Sequence, residues 1–409
     1  MGITEQIKSG RDRALGMQVH MDRLEQLEEM LQKYGTDGQR QAIVIKILKN
    51  DIPVFEGIYG HNNGEYRLGY DTIFQVSSIS KPVIATLMLS LQEDGLVDLT
   101  EPVYKYLPEF SGDGKECICL WHFLTHSSGI TDEMIENNFQ EQLKIWGLQD
   151  TSWTNSRVEK QKQLQGLREK LGCDPKQNGR LGDPYYLISL QTKLSQDPRK
   201  EMVYCSYGFQ MMKWIIEEVT GQTIDQYACE RLFGPLGMKD TYFIVPEEKW
   251  YKIIQREESA VAANWFNSDV NKTNDNGAGG LKTTVNDMIR FCRMIQKEGT
   301  LDGKRILSPG SIRHMLRNYN AEVISNGSKE YANWGLGWNL NGDKMDDAGM
   351  LRSFRAADHS GFGGTKILID PEKDVVLVCF TVENVLFSDK EFFGINGRIV
   401  NTFYSAFDD

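Results

Sequence analysis

Ser78 and Lys81 stand three residues apart in the run Phe74-Gln75-Val76-Ser77-Ser78-Ile79-Ser80-Lys81-Pro82. Beyond them Ile84, Leu87, Met88 and Leu91 recur at helical spacing and Gly95 can end the helix, while Pro82 is comfortable only within a first turn. The helix must therefore begin close to Ser78. That places the hydroxyl at the positive end of the helix dipole, with Lys81 on the same face. A serine hydroxyl attacks a carbonyl only if a base removes its proton, and a neutral lysine amine or a tyrosinate can be that base. Burial and nearby positive charge both disfavour the ammonium, so Lys81 is expected in a desolvated place with a lowered pKa. Taken alone the pair is a weak signal, because Ser-x-x-Lys arises by chance about once or twice in a chain this long and most such pairs are solvated helix surface.

Two further segments carry the same chemistry. Tyr204-Cys205-Ser206 leads into a helix striped by Met212, Ile215, Ile216 and Val219 and closed by Gly221. A tyrosine beside a lysine ammonium has its phenolate stabilised and can shuttle a proton to a leaving group or activate water; the Ser206 hydroxyl can hold the Lys81 amine in direction. An ordinary tyrosine caps a core with its hydroxyl at the surface. The third segment is His359-Ser360-Gly361-Phe362-Gly363-Gly364-Thr365. Its glycines let backbone approach a ligand, and an edge strand there offers N–H groups that, with the N–H of Ser78, can form an oxyanion hole. Cys117, Cys119, His122 and His126 suggest zinc only superficially: the two histidines are one helical turn apart, but no acidic general base accompanies them. No metal and no cofactor is expected.

Several elements must position these groups. His20 to Tyr34 reads as an amphipathic helix ended by Gly35. Ala42 to Leu48 and Ile52 to Gly57 form a hairpin about Lys49-Asn50-Asp51; Thr365 to Ile369 and Asp374 to Val382 form another about Asp370-Pro371-Glu372-Lys373. One sheet thus draws strands from both ends of the chain. Gly277 to Leu281 is a glycine-rich turn before a helix over Thr284 to Gln296. Between them the chain is rich in Lys, Glu and Gln, with helical segments such as Val158 to Leu171. The fold class is therefore α/β: an antiparallel sheet of N- and C-terminal strands flanked by helices, with an inserted, mostly helical domain. The expected boundaries are 1–100 and 217–409 for the sheet domain and 101–216 for the insertion. Trp146 and Trp153 of the insertion either line a substrate cleft or pack in its core.

In this order the three segments resemble the serine β-lactamase and penicillin-binding protein superfamily, most closely its class C β-lactamase-like members, the family VIII esterases and D-amino-acid peptidases. The resemblance runs from about Gln41 to Thr381. It includes Trp121-His122-Phe123-Leu124-Thr125-His126-Ser127-Ser128-Gly129, similar to the family's Leu-Leu-Thr-His-Thr-Ser-Gly, the turn Gly277-Ala278-Gly279-Gly280-Leu281, and Gly335-Leu336-Gly337-Trp338. It implies a β-lactamase/transpeptidase-like fold, with Ser78 as the acylated nucleophile, Lys81 as its proton acceptor and Tyr204 as a second acid/base group. His359 completes the catalytic set, Ser206, Ser360 and Gly361 line the substrate and oxyanion region, and the N–H groups of Ser78 and Phe362 are the oxyanion donors. Two departures stand out. The family's Tyr-x-Asn is Tyr204-Cys205-Ser206 here, and its Lys-Thr-Gly is His359-Ser360-Gly361, which replaces a permanent cation by a group mostly neutral at pH 7. Strong β-lactamase activity is accordingly not expected.

Composition narrows the partners. Lys and Arg total 46 against 57 Asp and Glu, and the net charge of -11 repels phosphate backbones and anionic membranes. Neither nucleic acid nor a membrane is an expected partner; a small molecule or short peptide is. The longest apolar runs have strand length, and Met1 to Gly16 lacks an apolar signal core, so a cytoplasmic location is the expectation. Seven cysteines form no dense framework and are expected to be reduced and mostly buried. The reading is a serine hydrolase acting on an ester or amide through an acyl-enzyme. Its alternatives are an acyltransferase or peptide cyclase on the same scaffold, or a non-catalytic binding or scaffold descendant.

Overall fold

The computed structural model describes residues 19–147, 166–171, 179–384 and 395–408. The chain divides into two compact units, one made of Met1–Ser90, Thr223–Tyr319 and Asn333–Asp409, the other of Leu91–Gln222 and Asn320–Ala332.

The first unit is built on a six-stranded antiparallel sheet, the α/β arrangement with strands from both chain ends. Its strands are β1 (Arg40–Lys49), β2 (Ile52–Gly60), β3 (Asn339–Leu340), β4 (Ala357–Gly361), β5 (Thr365–Asp370) and β6 (Val375–Glu383), in the spatial order β2-β1-β6-β5-β4-β3. The two hairpins form where the turn residues put them. Asn50 and Asp51 both take left-handed backbone, at φ 52° and 63°, as a two-residue hairpin turn with the right twist demands. In the other turn the Asp370 carboxylate accepts the N–H groups of Glu372 and Lys373, both at 3.2 Å. The hairpins join through β1 and β6, where Ile45 stands opposite Cys379 and Ile47 opposite Leu377.

Side chains alternate across this sheet and give each face its own helices. Helix α1 (Met21–Thr36) and the C-terminal helix Ile395–Tyr404 bury Leu24, Leu27, Leu31, Ile399 and Phe403 against Ile43, Ile45, Ile47 and Leu377. Each such side chain contributes about 1.5–3 kcal/mol. Gly35 does not end α1; the helix runs to Thr36, whose hydroxyl donates to the Gln32 carbonyl at 3.0 Å. Helix α2 (Ser80–Glu93) follows a single 3-10 turn, Ser77–Ile79, and Gly95 with φ 73° stops it as expected. The helix Val285–Gln296 is capped by the Thr284 hydroxyl, which accepts the Asp287 N–H.

The second unit carries the helices Asp132–Ile145 and Tyr207–Thr220 and a short parallel pairing of Glu201–Met202 with Ile324–Ser325. Trp146 packs against a small core of Phe139, Leu143, Leu167 and Ile188. Trp153, Cys173 and residues 158–165 of the expected helix lie outside the described residues; residues 166–171 are helical. Among the described residues Cys117, Cys119, Cys205, Cys229, Cys292 and Cys379 are free thiols. Only Cys205, Cys292 and Cys379 are buried, so burial is less general than expected. No helix among the described residues is long and apolar enough to cross a membrane.

Candidate active site

The backbone of the first unit bends sharply just before Ser78. Ser77 takes left-handed backbone, φ 47°, immediately before Ser78, a conformation that a non-glycine residue adopts only when its surroundings hold it. They do so here: the Ser77 hydroxyl donates to the Phe362 carbonyl at 3.1 Å, and the Ser80 hydroxyl donates to the Ser77 carbonyl at 2.7 Å while accepting the Leu281 N–H at 3.0 Å. This bend delivers Ser78, half-buried, at the start of α2.

The spacing that put Ser78 and Lys81 on one helix face produces a direct contact, with Lys81 Nζ 3.0 Å from Ser78 Oγ. Lys81 is 0% exposed. Its amine is also tied to the Ala278 carbonyl at 3.1 Å, a partner the sequence signalled only as a glycine-rich turn. A carbonyl accepts and never donates. One N–H of Lys81 therefore stays engaged, and the next position of the amine is aimed at Ser78 Oγ. As an ammonium Lys81 donates to that oxygen; as a neutral amine its lone pair receives the serine proton along the same line.

Strand β4 forms the opposite boundary. A Cβ on Gly361 would stand 2.1 Å from the Val76 carbonyl, so only glycine lets β4 run this close to the bend at Ser77. Thr365 Oγ donates to the same carbonyl at 3.2 Å. β4 pairs with β3 only at Ala357 and Asp358, and its later residues have no strand on that side among the described residues. The sequence-expected residues of the third segment are thus gathered beside Ser78, with Ser360 exposed and Phe362 53% exposed.

His359, expected from the sequence to be mostly neutral at pH 7, is buried as well. It is 3% exposed, its Nδ1–H donates to the Ser360 carbonyl at 2.9 Å, and its ring meets Trp334 edge to face at 5.8 Å. Burial, and then the Lys81 charge, push the imidazole down to about 3. It is neutral through the physiological range and forms part of the wall. Because the folded pKa lies below the ordinary value of 6.5, its contribution to stability is complete above pH 6.5 and is lost as pH falls toward about 3. Between about pH 6 and 4, chemical denaturation should show the wild-type unfolding free energy falling more steeply than that of His359→Gln, by about 1.4 kcal/mol per pH unit. Parallel slopes would contradict this account.

Next to it, Asp358 anchors β4 from behind. Its carboxylate accepts from Arg352, from Lys366 Nζ at 3.2 Å and from Asn339 Nδ2 at 3.1 Å. Burial alone would raise its pKa, but Lys366, Arg352 and Lys344 hold it down to about 2. Asp358→Ala leaves buried cations without their counter-charge and should cost about 3–5 kcal/mol in a denaturant titration; a loss below about 1 kcal/mol would contradict the role.

Tyr204 and Ser206 belong to the second unit. The Tyr204 ring lies over His126 at 4.3 Å and is 41% exposed. His126 Nδ1 accepts the Cys205 N–H at 3.0 Å, and its carbonyl accepts the Val203 N–H at 3.0 Å, so the Thr125–Gly129 stretch grips the chain on both sides of Tyr204. His122 Nδ1 likewise accepts the Cys119 N–H at 3.0 Å, so in both imidazoles this nitrogen serves a backbone donor. The Ser206 hydroxyl makes no hydrogen bond among the described residues. Its N–H goes to Asp132 Oδ2 at 2.7 Å, and the Tyr207 N–H goes to Oδ1 at 2.8 Å. Asp132, which receives these N–H groups at the start of the Tyr207–Thr220 helix, is a residue the sequence did not single out. The run Thr131-Asp132-Glu133 marks a helix start, but Thr131 caps that helix itself, and nothing local reveals that Asp132 caps another.

Comparison with known proteins bears on this arrangement. Penicillin-binding protein 4 of Amycolatopsis lactamdurans is 24% identical over 282 residues, 66% of this chain and 63% of that protein. The D-alanyl-D-alanine-carboxypeptidase/endopeptidase AmpH of Escherichia coli is 21% identical over 266 residues, 63% of this chain and 57% of that protein. The chain thus matches less than two thirds of the length of these curated relatives. Among solved structures, EstCE1, a hydrolase with promiscuous acyltransferase activity, superposes with a TM-score of 0.68 at 16% identity, over 94% of this chain and 98% of its own. That likeness shows the β-lactamase/transpeptidase-like fold. The model of the Beta-lactamase family matches residues 27–391, which include Ser78, Lys81, Tyr204 and His359. The chain belongs to the Beta-lactamase family, which includes carboxypeptidases, esterases and acyltransferases.

Proposed function

We propose that this protein is a serine hydrolase that cleaves an ester or amide of a small molecule or short peptide through an acyl-enzyme. The observation that carries the reading is the buried Lys81 amine, 3.0 Å from Ser78 Oγ and held there by the Ala278 carbonyl. In this reading Ser78 Oγ attacks the carbonyl carbon and its proton passes to neutral Lys81. The oxyanion is received by the N–H groups of Ser78 and Phe362, and the leaving group departs with a proton. Water then adds to the acyl-enzyme, gives up a proton and frees the acid and Ser78. Tyr204 serves as the second acid/base group, and His126 and Asp132 support it through the contacts they make to its chain segment.

Neutral His359 supplies no cation for a substrate carboxylate, which supports carboxylesterase or D-amino-acid peptidase activity, with at most weak β-lactam hydrolysis. Intact-mass spectrometry after incubation with a fluorophosphonate, p-nitrophenyl esters, D-amino-acid peptides and β-lactams tests the proposal. One adduct per chain, mapped to Ser78, is expected. A protein that stays unmodified by the fluorophosphonate, or is modified elsewhere, would overturn it.

A further inference from the structure

Beneath the turn that follows β4 lies a charged side chain that the proposed chemistry does not use. Arg256 is 2% exposed, and its guanidinium sits 3.5 Å from the centre of the Phe266 ring. Phe266 in turn stacks on Phe362, with ring centres 6.1 Å apart and planes within 18°. The guanidinium also lies directly against the turn's backbone: a Cβ on Gly363, whose φ is +91°, would stand 2.8 and 2.9 Å from Nη1 and Nη2. Nη1 donates to the Val261 carbonyl at 3.3 Å, whereas Nε and Nη2 have no acceptor among the described residues. Burial draws the guanidinium down to about 9, with Glu383 opposing, so it remains a cation at neutral pH.

For stability alone this is a poor choice. A buried cation with unmatched N–H groups is costly, and a well-packed apolar side chain of similar volume would serve as well or better. What Arg256 adds is location. It braces the one turn whose carbonyl, that of Phe362, receives the Ser77 hydroxyl beside the nucleophile. Above that brace the Phe362 ring is 53% exposed, an aromatic surface carried by the same residue whose N–H is assigned to the oxyanion. Nearby His359 is buried with Nδ1–H turned to its own strand, so it offers no charge to a ligand's carboxylate.

We infer that Arg256 is a positioning residue that fixes the Phe362 turn through Phe266 and Gly363, and that the Phe362 ring selects an uncharged, apolar acyl group. The inference rests on the acyl-enzyme reading, and the two can fail separately. In the full-length protein, kcat and KM are measured for p-nitrophenyl acetate, hexanoate and the negatively charged hemiglutarate, with fluorophosphonate titration counting competent Ser78 in every variant. Wild type should favour hexanoate over acetate and over hemiglutarate by about tenfold or more in kcat/KM. Phe362→Ala should cut the hexanoate-to-acetate ratio at least about fivefold. Arg256→Met should lower kcat per titrated site about tenfold on every ester with KM little changed, and Arg256→Lys should recover part of it.

A merely structural Arg256 would reduce the number of titratable sites while each remaining site kept wild-type kcat, and that result overturns the positioning role. If Arg256→Met does not fold, the same comparison is made with Arg256→Lys, where wild-type kcat per site is again the overturning result. Equal rates on hexanoate and hemiglutarate, or an unchanged ratio in Phe362→Ala, overturn the acyl selection while leaving the hydrolase intact. Failure of wild type to label at Ser78 brings down the underlying reading and this inference with it.

Discussion

Replacing Ser78 with alanine is expected to lower ester turnover by about 10⁴-fold or more while the protein melts within a few degrees of wild type. The size follows from the proposed chemistry: in that mechanism the substitution deletes the atom that forms the bond to the acyl group, so the residual rate would come from substrate binding and the oxyanion donors acting on water. The small structural effect follows from the contacts. Among the described residues Oγ of Ser78 is bonded to Lys81, and Lys81 retains its anchor on the Ala278 carbonyl. The bend itself is held by the hydroxyls of Ser77 and Ser80, which the substitution leaves in place. Steady-state hydrolysis of p-nitrophenyl butyrate, with a thermal melt of both proteins, is the measurement. Alanine at this position with activity above about 1% of wild type would place the nucleophile elsewhere.

The second large effect is expected at Lys81. Lys81→Met keeps a straight side chain of similar length in a fully buried place and removes the proposed proton acceptor, so kcat should fall about 10³–10⁴-fold. Loss of the hydrogen bond to Ala278 costs only about 1 kcal/mol, which separates the catalytic from the structural consequence. Lys81→Arg should fail to rescue. Its guanidinium keeps its proton at any working pH and so cannot accept the serine's, and its planar fork does not fit a site shaped for a single amine. Stopped-flow acylation monitored by p-nitrophenol release reports the step directly. Wild-type burst rates in Lys81→Met would mean that another group takes the Ser78 proton.

The two predictions draw on different kinds of information. That Ser78 and Lys81 share a helix face follows from a period of 3.6 and from Pro82, both properties of ten or so consecutive residues. The same local rules located both hairpins, the helix that ends at Gln296 and the stop at Gly95. They also gave α1, where the misplacement of its end by two residues reflects a glycine that a helix tolerates at modest cost. The role of His359 was harder to see. Its mostly neutral state follows from an ordinary histidine pKa, whereas its 3% exposure and its bond to the Ser360 carbonyl depend on the folded chain.

What the order of residues determined by itself is local: which segments coil, which extend, where they turn, and which side chains stand together on one face. The tertiary structure alone decided the register in which β1 pairs β6, that the Ala278 carbonyl holds the Lys81 amine, that Asp132 caps a helix not its own, and that Arg256 lies under the Phe362 turn. The physical reason is that backbone periodicity depends on near neighbours. Burial, desolvation and the partner of a buried polar group depend instead on segments that come close only when the chain is folded.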